Sequence, residues 1–259
     1  MNSEVEKLKA LKINLKKMKR VAVAYSGGVD STFLVKAAVD TLGRDNVLAI
    51  MAVGLLWTEK EMKQARMLAK SIGVKIRTIK APDITQPAFS LHIPERCYFC
   101  KRDIFTKLIP LAEKNNFYQI ADGTNKDDLS KLRPGLKVLR ELKIRSPLAE
   151  VGLTKNEVRS LSKSYGLTNW DKPSRACLAT RFPFGTPVTP KRLIKIAAAE
   201  MILEGKKIKD FLCYFSKESI RIQVSPRDLS TILSWREEIV KQMKKIGFRY
   251  VTLDLESLP

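Results

Sequence analysis

A short glycine-containing stretch between an apolar run and a helix constrains this chain more than any other part of it. The run Val21–Tyr25 is typical of a buried parallel strand, Ser26–Ser31 reads Ser-Gly-Gly-Val-Asp-Ser, and the following residues have helical apolar spacing. Gly27 and Gly28 can adopt backbone angles closed to other residues, so a phosphate can approach the main chain. The turn amides and the first helical N–H groups then point at one spot, where the helix dipole adds positive charge. The stretch predicts an anion site suited to pyrophosphate.

These six residues are not a Walker A loop, because no Gly-Lys-Ser/Thr follows the glycines. They resemble the PP-loop of the ATP pyrophosphatase superfamily, whose members split ATP between its α- and β-phosphates to adenylate an acidic or amide-like group. The alternative is an ordinary glycine turn. The resemblance implies catalytic roles for two of the residues, Asp30 and Ser31. The residues expected to bind ATP and its pyrophosphate are Ser26, Gly27, Gly28, Val29, Asp30 and Ser31.

The segments beyond this loop alternate between strands and helices. Val47–Val53, Val74–Ile79 and Tyr118–Ala121 have strand character, and Glu59–Ile72 has the spacing of a helix. Such alternation predicts an α/β fold with a doubly wound parallel sheet. The resemblance of Ser26–Ser31 to the PP-loop implies that this sheet is of the PP-loop ATP pyrophosphatase type. Ligands in such sheets bind beyond the carboxyl ends of the strands, where the Ser26–Ser31 turn lies.

A Pro- and Gly-rich stretch, Phe182–Pro187, is the expected domain boundary. We expect an adenylating domain over residues 1–185 and a small α+β module over residues 186–259. The module reads α-β-β-α-β, with its second helix predicted over Pro226–Ile246. It is too small to be a second catalytic domain, so we expect a substrate-side or self-association module and a homo-oligomer.

The composition is that of a folded globular protein, with 44% hydrophobic residues among 259. The longest apolar run, Val47–Trp57, is too short to cross a bilayer, and the basic residues 1–20 contain no apolar signal core. We therefore expect a cytoplasmic protein with no membrane partner. The net charge of +21 favours an anionic partner, either nucleic acid or a nucleotide, but also fits a lysine-rich solvated surface.

Two clusters of polar residues are candidates for binding a ligand. Asp122–Asp128 follows a short strand, and we expect it to face the same crevice as the glycine loop Ser26–Ser31. Its carboxylates can then hold Mg²⁺ or ribose. The alternative is an ordinary turn. In a cytosolic enzyme, the Cys-x-x-Cys pair Cys97 and Cys100 with distant Cys177 indicates metal or redox chemistry rather than a disulfide. A zinc site would need a fourth ligand, and the soft candidates are His92 and Cys213.

Several blocks together resemble one family, the LarE family of ATP-dependent sulfur transferases, which help to build the nickel-pincer nucleotide cofactor. The resemblance implies that ATP adenylates a carboxylate of pyridinium-3,5-biscarboxylic acid mononucleotide, with Mg²⁺ offsetting the charge, and that sulfur then displaces AMP to give a thiocarboxylate. It covers most of residues 20–200 and includes Gly123 and Asn125 among the ATP-binding residues. The blocks are Ser26–Ser31, Arg96–Lys101, Asp122–Asn125, Arg133–Gly135, Ser146–Leu148 and Pro173–Arg181.

The resemblance also raises the question of the sulfur source. Some members sacrifice the sulfur of one cysteine, at the position of Cys177 here, whereas others hold a [4Fe-4S] cluster on three cysteines. Cys97, Cys100 and Cys177 are all present, so we expect the cluster version, with Cys177 catalytic and with sulfide or a desulfurase as the sulfur donor.

Arginines beside these motifs are candidates for binding the carboxylates or phosphate of the substrate. The C-terminal module departs from the family, which often has two alternating arginines on a strand, because Arg221 is followed two residues later by Gln223. Two other functions stay open, a tRNA-thiolating PP-loop enzyme and a non-catalytic nucleotide-binding or sulfur-carrier protein. The candidate substrate-binding residues are Arg96, Arg175, Arg181 and Arg221.

Overall fold

The structure is a computed structural model of the chain. In the part of the chain that it describes, no helix is long and apolar enough to cross a membrane. The described residues are 3–130, 134–173, 176–208, 210–256 and 258.

The strands form two separate sheets. They are β1 (Val21–Ala24), β2 (Val47–Val53), β3 (Lys75–Lys80), β4 (Ile120–Asp122), β5 (Phe211–Ser216), β6 (Ser219–Val224) and β7 (Tyr250–Leu253). The α-helices are α1 (Glu4–Met18), α2 (Val29–Leu42), α3 (Glu59–Ile72), α4 (Pro87–Ser90), α5 (Arg96–Lys114), α6 (Lys126–Leu129), α7 (Pro134–Glu141), α8 (Pro147–Glu150), α9 (Lys155–Ser164), α10 (Pro190–Gly205), α11 (Leu229–Ser234) and α12 (Arg236–Lys245).

Contacts divide the chain into two compact units. The first consists of Met1–Gly54, Glu59–Pro82 and Glu95–Ser174, and the second of Leu55–Thr58, Asp83–Pro94 and Arg175–Pro259.

The segment before the predicted boundary at residue 185 groups with the second unit. The N–H of Leu178 donates to the carbonyl of Leu56 at 2.9 Å, and that of Gly185 donates to the carbonyl of His92 at 3.1 Å. These main-chain bonds join residues 178 and 185 to residues far earlier in the sequence. The Pro and Gly composition of the predicted boundary gives no sign of such pairing.

The first unit contains a four-stranded sheet in the order β3-β2-β1-β4, and every neighbouring pair is parallel. Side chains alternate across β1: Val21 and Val23 pack in one core with Phe33 of α2, whereas Ala22 packs in another with Phe105 of α5. Helices therefore cover both faces of the sheet. This confirms the predicted doubly wound parallel α/β fold.

Several predicted elements shift at their ends. Glu59–Ile72 is a helix as predicted, but the next strand begins at Lys75 because Gly73, at φ +78°, and Val74 still bond to the last turn of that helix. The strand predicted over Tyr118–Ala121 is Ile120–Asp122.

The second unit holds a small mixed sheet in the order β5-β6-β7, antiparallel and then parallel. Cys213 on β5 is buried, as its apolar neighbours predict. The single helix predicted over Pro226–Ile246 is wrong, because it breaks into a 3₁₀ turn, α11 and α12. The break is at Trp235, which leaves helical geometry at φ −100° and ψ 9°. The predicted small α+β module is confirmed.

Candidate functional site

The loop Ser26–Gly28 joins the carboxyl end of β1 to the start of α2. Gly28 is the N-cap of α2, and as a glycine it offers no side-chain cap to the first N–H groups of the helix. Uncapped N–H groups at a helix start are donors that a ligand can satisfy, and the dipole there favours an anion. The loop therefore has the local form that the sequence predicts for a phosphate site.

Two serine hydroxyls close the loop on itself. The hydroxyl oxygens of Ser26 and Ser31 lie 3.1 Å apart, and Ser31 also accepts the N–H of Ser26 at 3.2 Å. The N–H of Gly28 donates to the Ser26 hydroxyl at 3.3 Å. Two hydroxyls and a main-chain amide thus meet in one hydrogen-bonded ring, and their donor hydrogens have partners within the loop that an anionic oxygen would replace.

The glycines at this site are also required by close packing. Gly27 has φ +71°, and a Cβ placed on it would lie 2.4 Å from the Cβ of Ala65 on α3. A Cβ on Gly123 would lie 2.8 Å from the backbone nitrogen of Ser31. The turn after β4 is therefore pressed against the start of α2, and the structure brings Gly123 together with the glycine loop.

An ion pair stands at the first turn of α2. Asp30 accepts a hydrogen bond from the Asn125 side-chain amide at 3.2 Å and pairs with the Lys155 ammonium at 2.5 Å. Lys155 is absent from the sequence prediction. In the structure it is the first residue of α9, directly after Thr154, which forms a capping box with Glu157. A cation is thus fixed beside the predicted catalytic aspartate.

The acidic turn uses its carboxylates internally. Buried Asp122 accepts hydrogen bonds from the Ser146 hydroxyl at 2.7 Å and from the Lys101 ammonium at 3.0 Å. Asp127 accepts the N–H of Lys155 at 2.8 Å. These bonds tie the turn to α5, to the start of α8 and to the start of α9, so the carboxylates have structural roles.

Two of the predicted cysteine ligands lie near the start of α5. Cys97 is exposed and Cys100 half-buried, and their spacing of three residues places them on one face of the helix. Nη2 of the buried Arg96 lies 3.7 Å from the sulfur of Cys97. Among the described residues, no group of three or more His, Cys, Asp or Glu side chains is arranged to hold a metal ion.

Cys177 belongs to the second unit, directly before a 3₁₀ turn formed by Leu178–Arg181. Its carbonyl accepts the N–H of Thr180 at 2.9 Å and the Thr180 hydroxyl at 2.8 Å, and the side chain is half-buried. Two hydrogen bonds from Thr180 therefore fix the main chain at Cys177.

The predicted substrate arginines have different surroundings. Arg181 is 3% exposed, and its guanidinium donates to the buried Glu200 of α10 at 2.6 Å. Arg221 is half-exposed and pairs with Asp254 at 2.7 Å. Arg175 lies outside the described residues.

A buried tyrosine braces the loop from the sheet side. The hydroxyl of Tyr25 donates to the carbonyl of Ala65 at 2.9 Å. Burial raises the pKa of Tyr25 to about 12, and a hydrogen bond with the Thr32 hydroxyl partly offsets that rise. The phenol is therefore uncharged at neutral pH and ties the end of β1 to α3.

The sequence of this chain is similar to one family model and to several known proteins. The family model described as NAD synthase matches residues 2–105. A pyridinium-3,5-bisthiocarboxylic acid mononucleotide synthase of Lactiplantibacillus plantarum is 35% identical over 93% of this chain and 87% of its own length. Two uncharacterised proteins are also similar, one of Synechocystis at 36% over 96% of this chain and 94% of its own length, and one of Methanocaldococcus jannaschii at 32% over 97% of each.

Proposed function

We propose a function from the family to which this chain belongs, the LarE family of ATP-dependent sulfur transferases. The chain would adenylate a carboxylate of pyridinium-3,5-biscarboxylic acid mononucleotide and then exchange AMP for sulfur. The observation that carries this proposal is the hydrogen-bonded ring of Ser26, Gly28 and Ser31 at the uncapped start of α2. Similarity to a relative named for the bisthiocarboxylic acid product supports the substrate class.

In the first step, a carboxylate oxygen of the substrate attacks the α-phosphorus of ATP. The bond from that phosphorus to the α–β bridging oxygen breaks, and pyrophosphate leaves with the electron pair. The loop hydroxyls and the first N–H groups of α2 would stabilise the charge that develops on this leaving group. Mg²⁺, when bound, would offset further charge on the phosphates.

Asp30 is the proposed catalytic carboxylate of this step. It bonds to Asn125 and Lys155 at once, so the ammonium is fixed beside the anion site. Neutralising Asp30 would remove the ion pair that holds the Lys155 ammonium. We therefore propose that Asp30 holds Asn125 and Lys155 in position around the phosphates.

In the second step, a sulfur nucleophile attacks the acyl carbon of the adenylate and AMP leaves. We propose that Cys97, Cys100 and Cys177 hold a [4Fe-4S] cluster, which when bound would supply sulfide. The support is the identity of the three residues and the placement of two thiols on one face of α5. Sulfide or a desulfurase would be the donor that renews the sulfur.

The alternative source is Cys177 itself. Its thiolate would attack the acyl carbon to form a thioester and release AMP. Loss of the cysteine α-proton and cleavage of its Cβ–S bond would then give the thiocarboxylate and leave dehydroalanine. This route consumes one cysteine per turnover and needs neither Cys97 nor Cys100.

Iron and acid-labile sulfide analysis of anaerobically prepared protein separates the two routes. About four irons and four sulfides per chain, lost in Cys97→Ala, would support the cluster. Colourless protein that loses the mass of H₂S on turnover, as conversion of one cysteine to dehydroalanine requires, would contradict it and support sacrifice of Cys177. The buried Cys213→Ala variant is the matched control, because it removes a cysteine that is not a proposed ligand.

The remaining assignments follow from the same reaction. We propose Arg96, Arg175, Arg181 and Arg221 as candidates for binding substrate carboxylate or phosphate. Arg221 is the most accessible of the described ones, whereas a substrate at Arg181 would compete with Glu200. A cytoplasmic location and self-association through the small module are part of the proposal.

The net charge of +21 favours a second candidate, a tRNA-thiolating enzyme. ATP–pyrophosphate exchange that depends on the dicarboxylated nucleotide would support the first function. A low-salt mobility shift with tRNA that weakens steeply with added salt, together with no nucleotide-dependent exchange, would support the second.

A further inference from the structure

A buried asparagine outside every recognised motif contacts the glycine loop. Asn169 lies in the segment after α9 and is 6% exposed. Its side-chain amide donates to the carbonyl of Gly27 at 3.3 Å and to the hydroxyl oxygen of Thr32 at 3.2 Å. One side chain therefore bonds both to the loop and to the first turns of α2.

The bond to Gly27 controls which way the next peptide faces. In a trans peptide the carbonyl and the following N–H point in opposite directions. With the Gly27 carbonyl held by Asn169, the N–H of Gly28 points to the other side, where it donates to the Ser26 hydroxyl at 3.3 Å. That side contains the hydroxyls that form the predicted pyrophosphate site.

A glycine pair has little intrinsic preference for this orientation. Gly27 sits at φ +71°, and glycines populate several backbone regions at low cost. Rotation of this peptide would turn a carbonyl oxygen toward the pyrophosphate and repel it. An external donor to the Gly27 carbonyl is therefore a direct way to keep the amide facing the anion.

The second bond ties the asparagine to a polar chain behind the loop. Thr32 is fully buried and also hydrogen-bonds to Tyr25, whose hydroxyl donates to Ala65. The end of β1, the loop, α2 and α3 are thus linked by side-chain hydrogen bonds. In this series of hydrogen-bonded side chains, Asn169 is the residue that bonds to the carbonyl of Gly27.

The other side-chain atom of Asn169 points to a role beyond packing. Within the described ranges, its Oδ1 is the buried side-chain oxygen or nitrogen that lacks a hydrogen-bond partner. A buried unsatisfied acceptor costs stability, so the residue is a poor choice for filling space. The contribution of the amide therefore lies in the two bonds that it donates.

We propose that Asn169 is a positioning residue that holds the Gly27 carbonyl away from the anion site so that the Gly28 amide faces pyrophosphate. The inference rests on the proposed function, because it assumes that the loop binds pyrophosphate. The substrate carboxylate and the sulfur source play no part in it.

The test is calorimetric binding of inorganic pyrophosphate in magnesium chloride buffer. Asn169→Leu removes both donated bonds at similar volume, and Asn169→Ala removes them as well, neither adding a charge near the loop. We expect each variant to bind pyrophosphate about tenfold more weakly or worse, the effect of losing one hydrogen bond to a charged group. The Michaelis constant for pyrophosphate in ATP–pyrophosphate exchange should rise in parallel.

Ser162→Ala is the matched control. Its hydroxyl is equally buried in the same unit and donates to the carbonyl of Val158 at 2.6 Å, away from the loop. Circular dichroism and thermal unfolding on the same samples show whether each variant is folded at the binding temperature. The control should bind pyrophosphate within about twofold of the parent, since it keeps the bond to the loop carbonyl.

The outcomes separate the two claims. Folded Asn169 variants that bind pyrophosphate as tightly as the parent overturn the positioning role and leave the proposed function intact. A parent protein that does not bind pyrophosphate at all overturns both the anion site and the role. Weaker binding in folded variants, with an unaffected control, supports the proposal.

Discussion

Replacing Gly27 by alanine would impose two separate costs at one position. The residue has φ +71°, a region that L-residues rarely adopt, and the new methyl would lie 2.4 Å from the Cβ and 2.9 Å from the Cα of Ala65. The first cost arises in the backbone of the loop and the second in its contact with α3. Measuring them separately tests whether the loop is held by its packing.

The expected magnitudes follow from the geometry. The left-handed φ costs an alanine about 1–2 kcal/mol, and a methyl forced into a packed contact costs about 1–3 kcal/mol. Alanine also makes the unfolded chain less flexible than glycine does, which raises the free energy of unfolding by about 0.5 kcal/mol. We therefore expect Gly27→Ala to lower the free energy of unfolding by about 2–4 kcal/mol.

Gly166→Ala is the matched control for strain alone. Gly166 has φ +69°, and an added Cβ meets nothing within 4 Å. Its expected loss in the free energy of unfolding is about 1 kcal/mol, because only the backbone cost applies. The difference between the two variants in urea denaturation isolates the contact with Ala65.

A double variant completes the test. Ala65→Gly alone should cost about 1 kcal/mol as a glycine inside α3, but in the Gly27→Ala background it also removes the closest contact. The double variant should therefore be more stable than the sum of the single losses predicts. Equal losses in Gly27→Ala and Gly166→Ala, or strict additivity in the double variant, would refute the packing argument.

Three further predictions concern charged and titrating groups. Asp30→Asn should lower the rate of ATP–pyrophosphate exchange about a hundredfold. It should change the free energy of unfolding by about 1 kcal/mol or less, because the ion pair with Lys155 is part-exposed. Asp40→Asn, which breaks an ion pair in the same helix, should leave the exchange rate unchanged. Tyr25 stays protonated in the folded state until about pH 12, whereas in the unfolded state it ionises near 10. The parent should therefore lose about 2 kcal/mol more stability than Tyr25→Phe as pH rises from 10 to 12, and equal losses would contradict the raised pKa. Arg181→Met or Glu200→Leu alone should cost about 3–5 kcal/mol of unfolding free energy and the two together much less, so additive losses would argue against a coupled buried pair.

Local patterns in the sequence predict the framework of the first unit well. Val47–Val53 is a strand and Glu59–Ile72 a helix at the bounds that apolar spacing gives. The turn Ser26–Ser31 can be recognised because its glycines, hydroxyls and following helix are contiguous. Features whose causes lie within about twenty residues are therefore readable from the chain alone.

Partners distant in sequence could not be predicted in this way. Lys155 is 125 residues from Asp30, and Asn169 is 142 residues from Gly27. Neither lies in a pattern that names its partner, since one follows a helix cap and the other precedes a tryptophan in a polar segment. Only the tertiary fold shows that Lys155 contacts the first turn of α2 and that Asn169 contacts the loop before it.

Burial of charged side chains is the other property that local sequence hides. Arg181 stands in a polar, proline-bearing stretch where an arginine usually reaches solvent, yet it is 3% exposed. Its burial depends on Glu200 of α10, which removes the cost of an isolated charge. A sequence pattern marks the arginine as a candidate ligand and gives no sign that its guanidinium already has a partner.

The Arg181–Glu200 pair also limits how this protein can change over generations. Domains are commonly stable by about 5–15 kcal/mol, and loss of either member alone removes about 3–5 kcal/mol of that margin. An apolar pair at the same positions would be tolerated, but each single-substitution path to it passes through a protein with one buried charge left without the other. We therefore expect related sequences either to keep both residues or to replace both.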